Sequence, residues 1–255
     1  MLHRDGVRLN YETLGPATAP AILFSHGYAA TREMWSATTS VLASTYRCIT
    51  WDLRGHGASD APDDPRRYSL ELTLDDMAAV LDDASVDRAT LIGHSLGGYL
   101  SLRFQERSPK RVAALILVDT GPGYRNAEGR AGWNNICESF AVQYETNGLD
   151  GLDKSSPELA AASHCSAIGL VHAARRILTQ HDAVALAHLT SIDVPTLVVV
   201  GGDDRPFLAS SEYMSRKIPG AHQVVIDGAG HAPMLTQPQV FLREVGSFLE
   251  EHPEP

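Results

Sequence analysis

The sequence predicts an α/β fold: a mainly parallel sheet flanked by helices, with an inserted all-helical segment. Three observations carry this. Five short runs, at residues 21–24, 47–51, 89–92, 112–118 and 195–200, are almost continuously apolar, the pattern of strands buried on both faces of a sheet. Helical patterns separate several of them, so strand leads to strand through right-handed crossovers. From residue 121 to about 191 the strand pattern stops and the chain becomes alanine-rich and helical. The expected organisation is a core domain of residues 1–120 and 192–255 and a helical cap of residues 121–191.

The elements follow in order. Residues 7–12 alternate apolar with polar, which predicts a half-exposed antiparallel strand. The buried strand at 21–24 runs into Ser25-His26-Gly27-Tyr28, and Thr31 is expected to cap a helix over about residues 32–44. The strand at 47–51 ends in Asp52-Leu53-Arg54-Gly55-His56-Gly57-Ala58-Ser59. With Asp60 in place of a third glycine, this stretch reads as a structural turn rather than a dinucleotide fingerprint. Residues 70–84 place Leu74, Met77, Val80 and Leu81 on one helical stripe. The strand at 89–92 enters Gly93-His94-Ser95-Leu96-Gly97, and a helix follows to about residue 106.

In the insertion, Trp133, Ile136, Cys137, Phe140 and Tyr144 share a stripe that packs on the body of the protein or, in part, roofs a pocket. Arg175 and Arg176 read as solvated helix charges, with contact to an anionic substrate as the alternative. The strand at 195–200 leads into Gly201-Gly202-Asp203-Asp204, and one at 223–226 into Asp227-Gly228-Ala229-Gly230-His231. A helix over about residues 238–250 and a Pro-rich tail expected to fray close the chain.

Composition removes several classes of function. A formal net charge of −10 without a basic cluster repels nucleic acid and anionic membrane surfaces, and neither is expected as a partner. No run of eighteen or more apolar residues spans a bilayer and no secretory apolar segment opens the chain, which predicts a soluble, cytoplasmic protein. Cys48, Cys137 and Cys165 lack a C-x-x-C arrangement and read as buried thiols in a reducing compartment. There is no H-E-x-x-H and no tight cluster among the eleven histidines, so neither a metal nor another cofactor is expected. Homo-oligomerisation stays open.

The chemistry starts at G-x-S-x-G. A serine on a sharp strand-to-helix turn adopts a strained backbone, and glycines on either side let strand and helix approach. Alone the pattern is weak, arising by chance in a chain of this length roughly one time in ten. However, Tyr28, Ser95, Asp204 and His231 all follow the carboxyl ends of predicted strands, the rim where such sheets bind ligands.

With Ser25-His26-Gly27-Tyr28, Asp52-x-Arg54-Gly55-x-Gly57-x-Ser59, Gly93-x-Ser95-x-Gly97-Gly98, Gly201-x-x-Asp204 and Gly230-His231, the chain resembles the α/β-hydrolase superfamily over essentially its full length. The resemblance implies Ser95 as nucleophile, His231 as base and Asp204 as the orienting acid. It also implies an oxyanion hole formed by the backbone N–H groups of Tyr28 and Leu96. Asp203 and Asp119 are the other candidates for the acid, and Asp204 is preferred for its spacing from Gly201. His26, His56 and His94 are expected to make local hydrogen bonds. Tyr28, Trp133, Phe140, Phe207 and Met234 are candidate pocket residues.

Serine at the nucleophile position argues against the haloalkane dehalogenase and epoxide hydrolase branches, which use aspartate. The expected activity is hydrolysis of a small to medium carboxylic ester or lactone through an acyl-enzyme on Ser95. Carbon–carbon bond hydrolases of ring-cleavage products come second, because their motif usually has asparagine where this chain has His94 and their oxyanion loop is richer in glycine. A hydrolase-fold ligand receptor with slow turnover is a further alternative.

Overall fold

Successive side chains of a strand point to opposite faces, and in the computed structural model, which describes residues 1–253, this alternation fills two cores. Leu23, Leu91, Leu115, Leu117 and Val198 join one apolar cluster with Trp51, Leu100 and Phe104. Ile22, Phe24, Ile92, Ile116, Val118 and Val199 join a second with Trp35 and Phe241. Both faces are covered, so the buried strand positions are apolar apart from a few small or hydrogen-bonding residues such as Thr50, Thr90 and Thr196.

The strands are β1 (Leu2–Arg4), β2 (Val7–Leu9), β3 (Tyr11–Leu14), β4 (Ala21–Ser25), β5 (Arg47–Trp51), β6 (Ala89–His94), β7 (Val112–Val118), β8 (Thr196–Gly201) and β9 (His222–Ile226). The α-helices are α1 (Ser36–Leu42), α2 (Leu70–Asp83), α3 (Leu96–Arg107), α4 (Ala127–Asn147), α5 (Pro157–Ala160), α6 (Ala167–Ala173), α7 (Val184–His188), α8 (Arg205–Lys217), α9 (Pro233–Thr236) and α10 (Pro238–Glu251). The seven-stranded sheet runs β3-β5-β4-β6-β7-β8-β9. β3 pairs antiparallel with β5, and every other pair in this sheet is parallel. The segment between β7 and β8 contributes only helices among the described residues, including a π-helical turn over Ala174–Leu178.

Three local expectations are corrected. Residues 7–12 do not form one strand: β2 pairs with β1 in a separate antiparallel hairpin, while β3 joins the main sheet. The break is Asn10, whose N–H donates to Ser59 Oγ and whose Nδ2 donates to Asp52 at 2.8 Å. Thr31 has an extended backbone but does not cap through its side chain, and the helix expected over 32–44 begins as a 3-10 turn, Arg32–Trp35, before α1. Asp52 takes the capping role, accepting from Arg32 N–H at 2.8 Å. Cys48 and Cys137 are buried, but Cys165 is exposed on the loop before α6, where its thiol donates to Ser59 O. The last two residues of the tail lie outside the described residues.

Asp52 also accepts from Ala58 N–H, and a side chain at Gly57 (φ +52°) would collide with its carboxylate. The Gly55-x-Gly57 stretch is therefore the structural turn its sequence suggests. Next to it, the fully buried Arg54 forms a two-pronged pair with Asp76 of α2 at 2.9 and 2.8 Å and donates to Arg67 O at 2.7 Å. No helix among the described residues is long and apolar enough to cross a membrane.

Without Arg54, the buried Asp76 carboxylate loses both prongs of its pair and keeps only Arg4 Nη1, 3.0 Å from Oδ1. Arg54→Met is expected to destabilise the fold by about 3–5 kcal/mol, read as a lowered urea midpoint. Arg54→Lys should recover only part of this, because an ammonium lacks the planar fork that meets both Asp76 oxygens.

Candidate active site

Ser95 joins β6 to α3 at φ +50° and ψ −115°, a region that costs an L-residue on the order of 1–3 kcal/mol. The surrounding backbone leaves no alternative. A side chain at Gly93 would strike Gly97 O, and one at Gly97 would strike Ser25 O at the end of β4. Ser95 N–H donates to Val118 O at 2.9 Å, and Thr120 Oγ1 donates to Ser95 O at 2.7 Å, tying the turn to the end of β7. Among the described residues the Ser95 hydroxyl makes no hydrogen bond, and it lines two cavities that meet over it.

The loops after β8 and β9 meet because Gly201 lacks a side chain, which would otherwise collide with Gly230 O. His231 Nδ1 lies 2.7 Å from Asp204 Oδ2. A carboxylate only accepts, so Nδ1 carries the hydrogen and Nε2 is the free lone pair. Phe207 stacks on the imidazole at 4.9 Å between ring centroids. On its other side the buried His94 packs at 4.7 Å and donates its Nε2–H to His231 O at 2.7 Å.

The neighbouring acids separate cleanly. Asp203 is exposed, and its side chain makes no hydrogen bond among the described residues. Asp119 (φ +43°) is fully buried, accepts from Gly201 N–H at 2.9 Å through Oδ1, and has no donor facing Oδ2 among the described residues. Burial pushes its carboxyl up to about 9; the Gly201 N–H opposes this, and the hydrogen bond to Asp204 and the charges of Asp204 and Glu158 add to it. At neutral pH Asp119 is a neutral acid with its proton available to Asp204. Asp119, Asp204 and His231 approach closely enough to share a cation, but the facing atoms of Asp204 and His231 are already hydrogen-bonded to each other.

Tyr28 follows β4, and its N–H makes no hydrogen bond among the described residues. The N–H of Leu96 is in the first turn of α3, where helix geometry supplies no acceptor. Three more histidines brace this loop. His26 accepts from Leu53 N–H at 3.0 Å and donates to Gly27 O at 2.7 Å. His164, from the segment between β7 and β8, accepts from Gly57 N–H and donates to Ala29 O, both at 2.9 Å. His56 packs between them and donates to Arg54 O at 3.1 Å. As expected of them, His26 and His56 make local hydrogen bonds, to Gly27 O and Arg54 O, but the one hydrogen bond of His94 reaches His231 O, 137 residues along the chain. Burial lowers all four imidazoles, His26 to about 3, so each is neutral.

One cavity, of about 380 Å³, is bordered by Ser95, Leu96, Tyr124, Trp133, Gln180 and Phe207, among others. The other, of about 420 Å³, is bordered by Ser95, His231, Tyr28, Phe140, Asp153 and Glu158, among others. Tyr28 stacks on Phe140 and donates its hydroxyl to Leu170 O at 2.9 Å. Trp133 donates Nε1–H to Leu178 O at 2.8 Å, which fixes its ring between the two spaces. Four of the five candidate pocket residues are thus brought together. Met234 is not: α9 turns it inward, where it is 1 % exposed in the core with Phe241 and Val245. Arg175 is committed to Glu138 and Glu145, and Arg176 borders neither cavity at Ser95. Thr120, Pro122 and Gln180 were not singled out from the sequence; Thr120 and Pro122 follow the end of β7, so the strand-end rule that marks Ser95 also marks them.

A family model described as "Alpha/beta hydrolase family" matches residues 22–244. A Bacillus subtilis (strain 168) protein provisionally named 2-succinyl-6-hydroxy-2,4-cyclohexadiene-1-carboxylate synthase is 27% identical, with 96% of each chain covered. The 3-oxoadipate enol-lactonase 1 of Acinetobacter baylyi is 28% identical, covering 97% of this chain and 95% of its own. Among solved structures, a thermophilic esterase from Thermogutta terrifontis matches with a TM-score of 0.80 at 27% identity, over 96% of this chain and 94% of that one.

The buried titratable groups predict opposite pH slopes. Histidines with lowered pKa values contribute stability that is full above about pH 6.5 and is lost as the pH falls from there toward their folded values. The melting temperature is expected to drop between pH 7 and pH 5. Asp119, raised in the fold, contributes stability that is full below about pH 4 and is lost as the pH rises to about 9. Thermal melts across this range should show wild type losing stability relative to Asp119→Asn as the pH rises, with the difference levelling above about 9.

Proposed function

The chain belongs to the alpha/beta hydrolase family, and from that premise we propose that it is a serine hydrolase of small to medium, uncharged carboxylic esters or lactones. The observation that carries this reading is the strained Ser95 turn opening onto the same cavity as His231, whose Nδ1–H is held by Asp204 at 2.7 Å. In this reading His231 Nε2 takes the Ser95 proton as Oγ attacks the acyl carbon. The developing oxyanion is received by the N–H groups of Tyr28 and Leu96, each worth about 3 kcal/mol. The tetrahedral intermediate collapses, the C–O bond of the leaving alcohol breaks, and His231 returns the proton to that oxygen. Water, activated by the same imidazole, then releases the acid from the acyl-enzyme.

General base help of this kind is worth on the order of a hundred- to ten-thousandfold, and it requires the tautomer that Asp204 selects. His94 holds His231 in place through its backbone carbonyl. Residues 121–191 act as the cap, closing the cavities from above with Trp133, Phe140 and Leu178.

The walls favour an uncharged substrate. Among the described residues no Lys or Arg borders either cavity at Ser95, whereas Asp153 and Glu158 border the one that contains His231. A carboxylate-bearing compound, such as those in the names of the Bacillus and Acinetobacter relatives, finds no cationic partner here. This observation favours simple esters and lactones over the carbon–carbon bond alternative.

Purified protein is expected to hydrolyse p-nitrophenyl butyrate, with activity falling roughly a millionfold, or to background, in Ser95→Ala. A fluorophosphonate should add its mass to the peptide containing Ser95 and to no other. Equal turnover by wild type and Ser95→Ala across p-nitrophenyl esters and a lactone panel would overturn the reading.

A further inference from the structure

The cavity bordered by Ser95 and Leu96 has a second polar feature, away from the reacting atoms. Gln180 is only 8 % exposed and borders this space. Its backbone is clamped to Asn134 of α4, donating N–H to Asn134 Oδ1 at 2.8 Å and accepting from Nδ2 at 3.0 Å. Its side-chain Oε1 accepts from Tyr124 N–H at 3.2 Å. This approach depends on Gly123 (φ +87°), where a Cβ would lie 2.7 Å from Oε1.

A backbone N–H needs an acceptor, so the contact with Tyr124 settles which end of the carboxamide is oxygen. The Nε2 amide then has no hydrogen-bond partner among the described residues. Nε2 keeps solvent access in this space, so it is hydrated until an acceptor on a ligand takes the place of the water. The rest of this wall carries no formal charge: beside apolar residues such as Leu96, Ile136 and Leu178 it includes Thr120 and Ser210, whose hydroxyls already donate to the Ser95 and Thr120 carbonyls.

The placement of His231 separates the two sides of the substrate. The leaving oxygen must reach the imidazole that returns its proton, and His231 borders only the cavity containing Tyr28 and Phe140. The acyl group therefore extends into the cavity with Leu96 and Gln180. We propose that Gln180 is a specificity-determining donor that recognises a hydrogen-bond acceptor toward the far end of an uncharged acyl group. The preferred substrates are esters whose acyl chain carries a keto, ether or second ester oxygen beyond the scissile carbonyl. This rests on the reading of Ser95 as nucleophile. A site that holds a fixed donor against the substrate discriminates against an analogue that lacks the matching acceptor, because binding then strips the water from the donor without replacing it.

The test compares kcat/KM for p-nitrophenyl 4-oxopentanoate, 5-oxohexanoate and 6-oxoheptanoate with that for the parent ester of the same length. In wild type at least one keto ester is expected to exceed its parent by about tenfold. In Gln180→Met and Gln180→Leu that ratio should fall to about one. Ratios are measured within each variant, so a partly folded preparation does not alter them. A wild-type ratio near one for all three pairs, or a ratio that persists in both variants, overturns the proposal while leaving the hydrolase reading intact. Absence of turnover above Ser95→Ala for every ester overturns the nucleophile reading, and this proposal with it.

Discussion

The turn at Ser95 is the constraint around which the site is built. A serine at φ +50° persists only where its neighbours over-determine the backbone. Here the first turn of α3 is wedged against the ends of β4 and β7, with Gly97 against Ser25 O and Gly98 against the Thr120 side chain. The same close approach brings Gly27 against His94 and Ser95, so the loop carrying the Tyr28 N–H is positioned by the packing that strains the serine. Strain, exposure of the hydroxyl and placement of the backbone donors are thus consequences of one steric arrangement.

Around that turn, ionisable side chains serve as neutral hydrogen-bonding parts. His26, His94 and His164 each use one N–H to reach a backbone carbonyl, and His26 and His164 accept from a backbone N–H with the other nitrogen. A protonated imidazole has no acceptor to offer, so burial and bonding pattern agree on the neutral form. Asp119 plays the complementary part: burial above all, and then the neighbouring Asp204 carboxyl, raise its carboxyl so that it holds its proton. In the proposed mechanism, Asp204 would stabilise the imidazolium formed on His231 if it takes the Ser95 proton.

Much of this was legible before any coordinate. The buried strands announce themselves because two faces must be covered, and Ser95, Asp204 and His231 because strand ends and glycines mark close backbone approach. What escaped the sequence depends on contacts between distant segments. Asp52 caps the Arg32 turn from 20 residues away, and Asn10 splits an alternating stretch by bonding to the same turn. Met234 looked like a pocket residue by proximity to His231, but the short helix that follows decides its direction. Neither His164 nor Gln180 lies in a motif, and each takes its place through partners more than 40 residues away.

The division between legible and illegible follows the chemistry. Proton transfer and oxyanion stabilisation need fixed geometry at strand ends, and such geometry imposes residue types that recur as patterns. Substrate choice is made by the walls, and a large part of these comes from the segment between β7 and β8, where helices pack by apolar stripes that many sequences satisfy. Trp133 illustrates the point: its stripe predicts burial, yet the hydrogen bond to Leu178 O, set by a π-helical turn, stands its ring between the two cavities. Because that ring borders both spaces, the two sides differ in the polar groups they offer: the Gln180 amide on one side and the Asp153 and Glu158 carboxylates on the other, so the proposed acyl and leaving-group selectivities would be set by different residues.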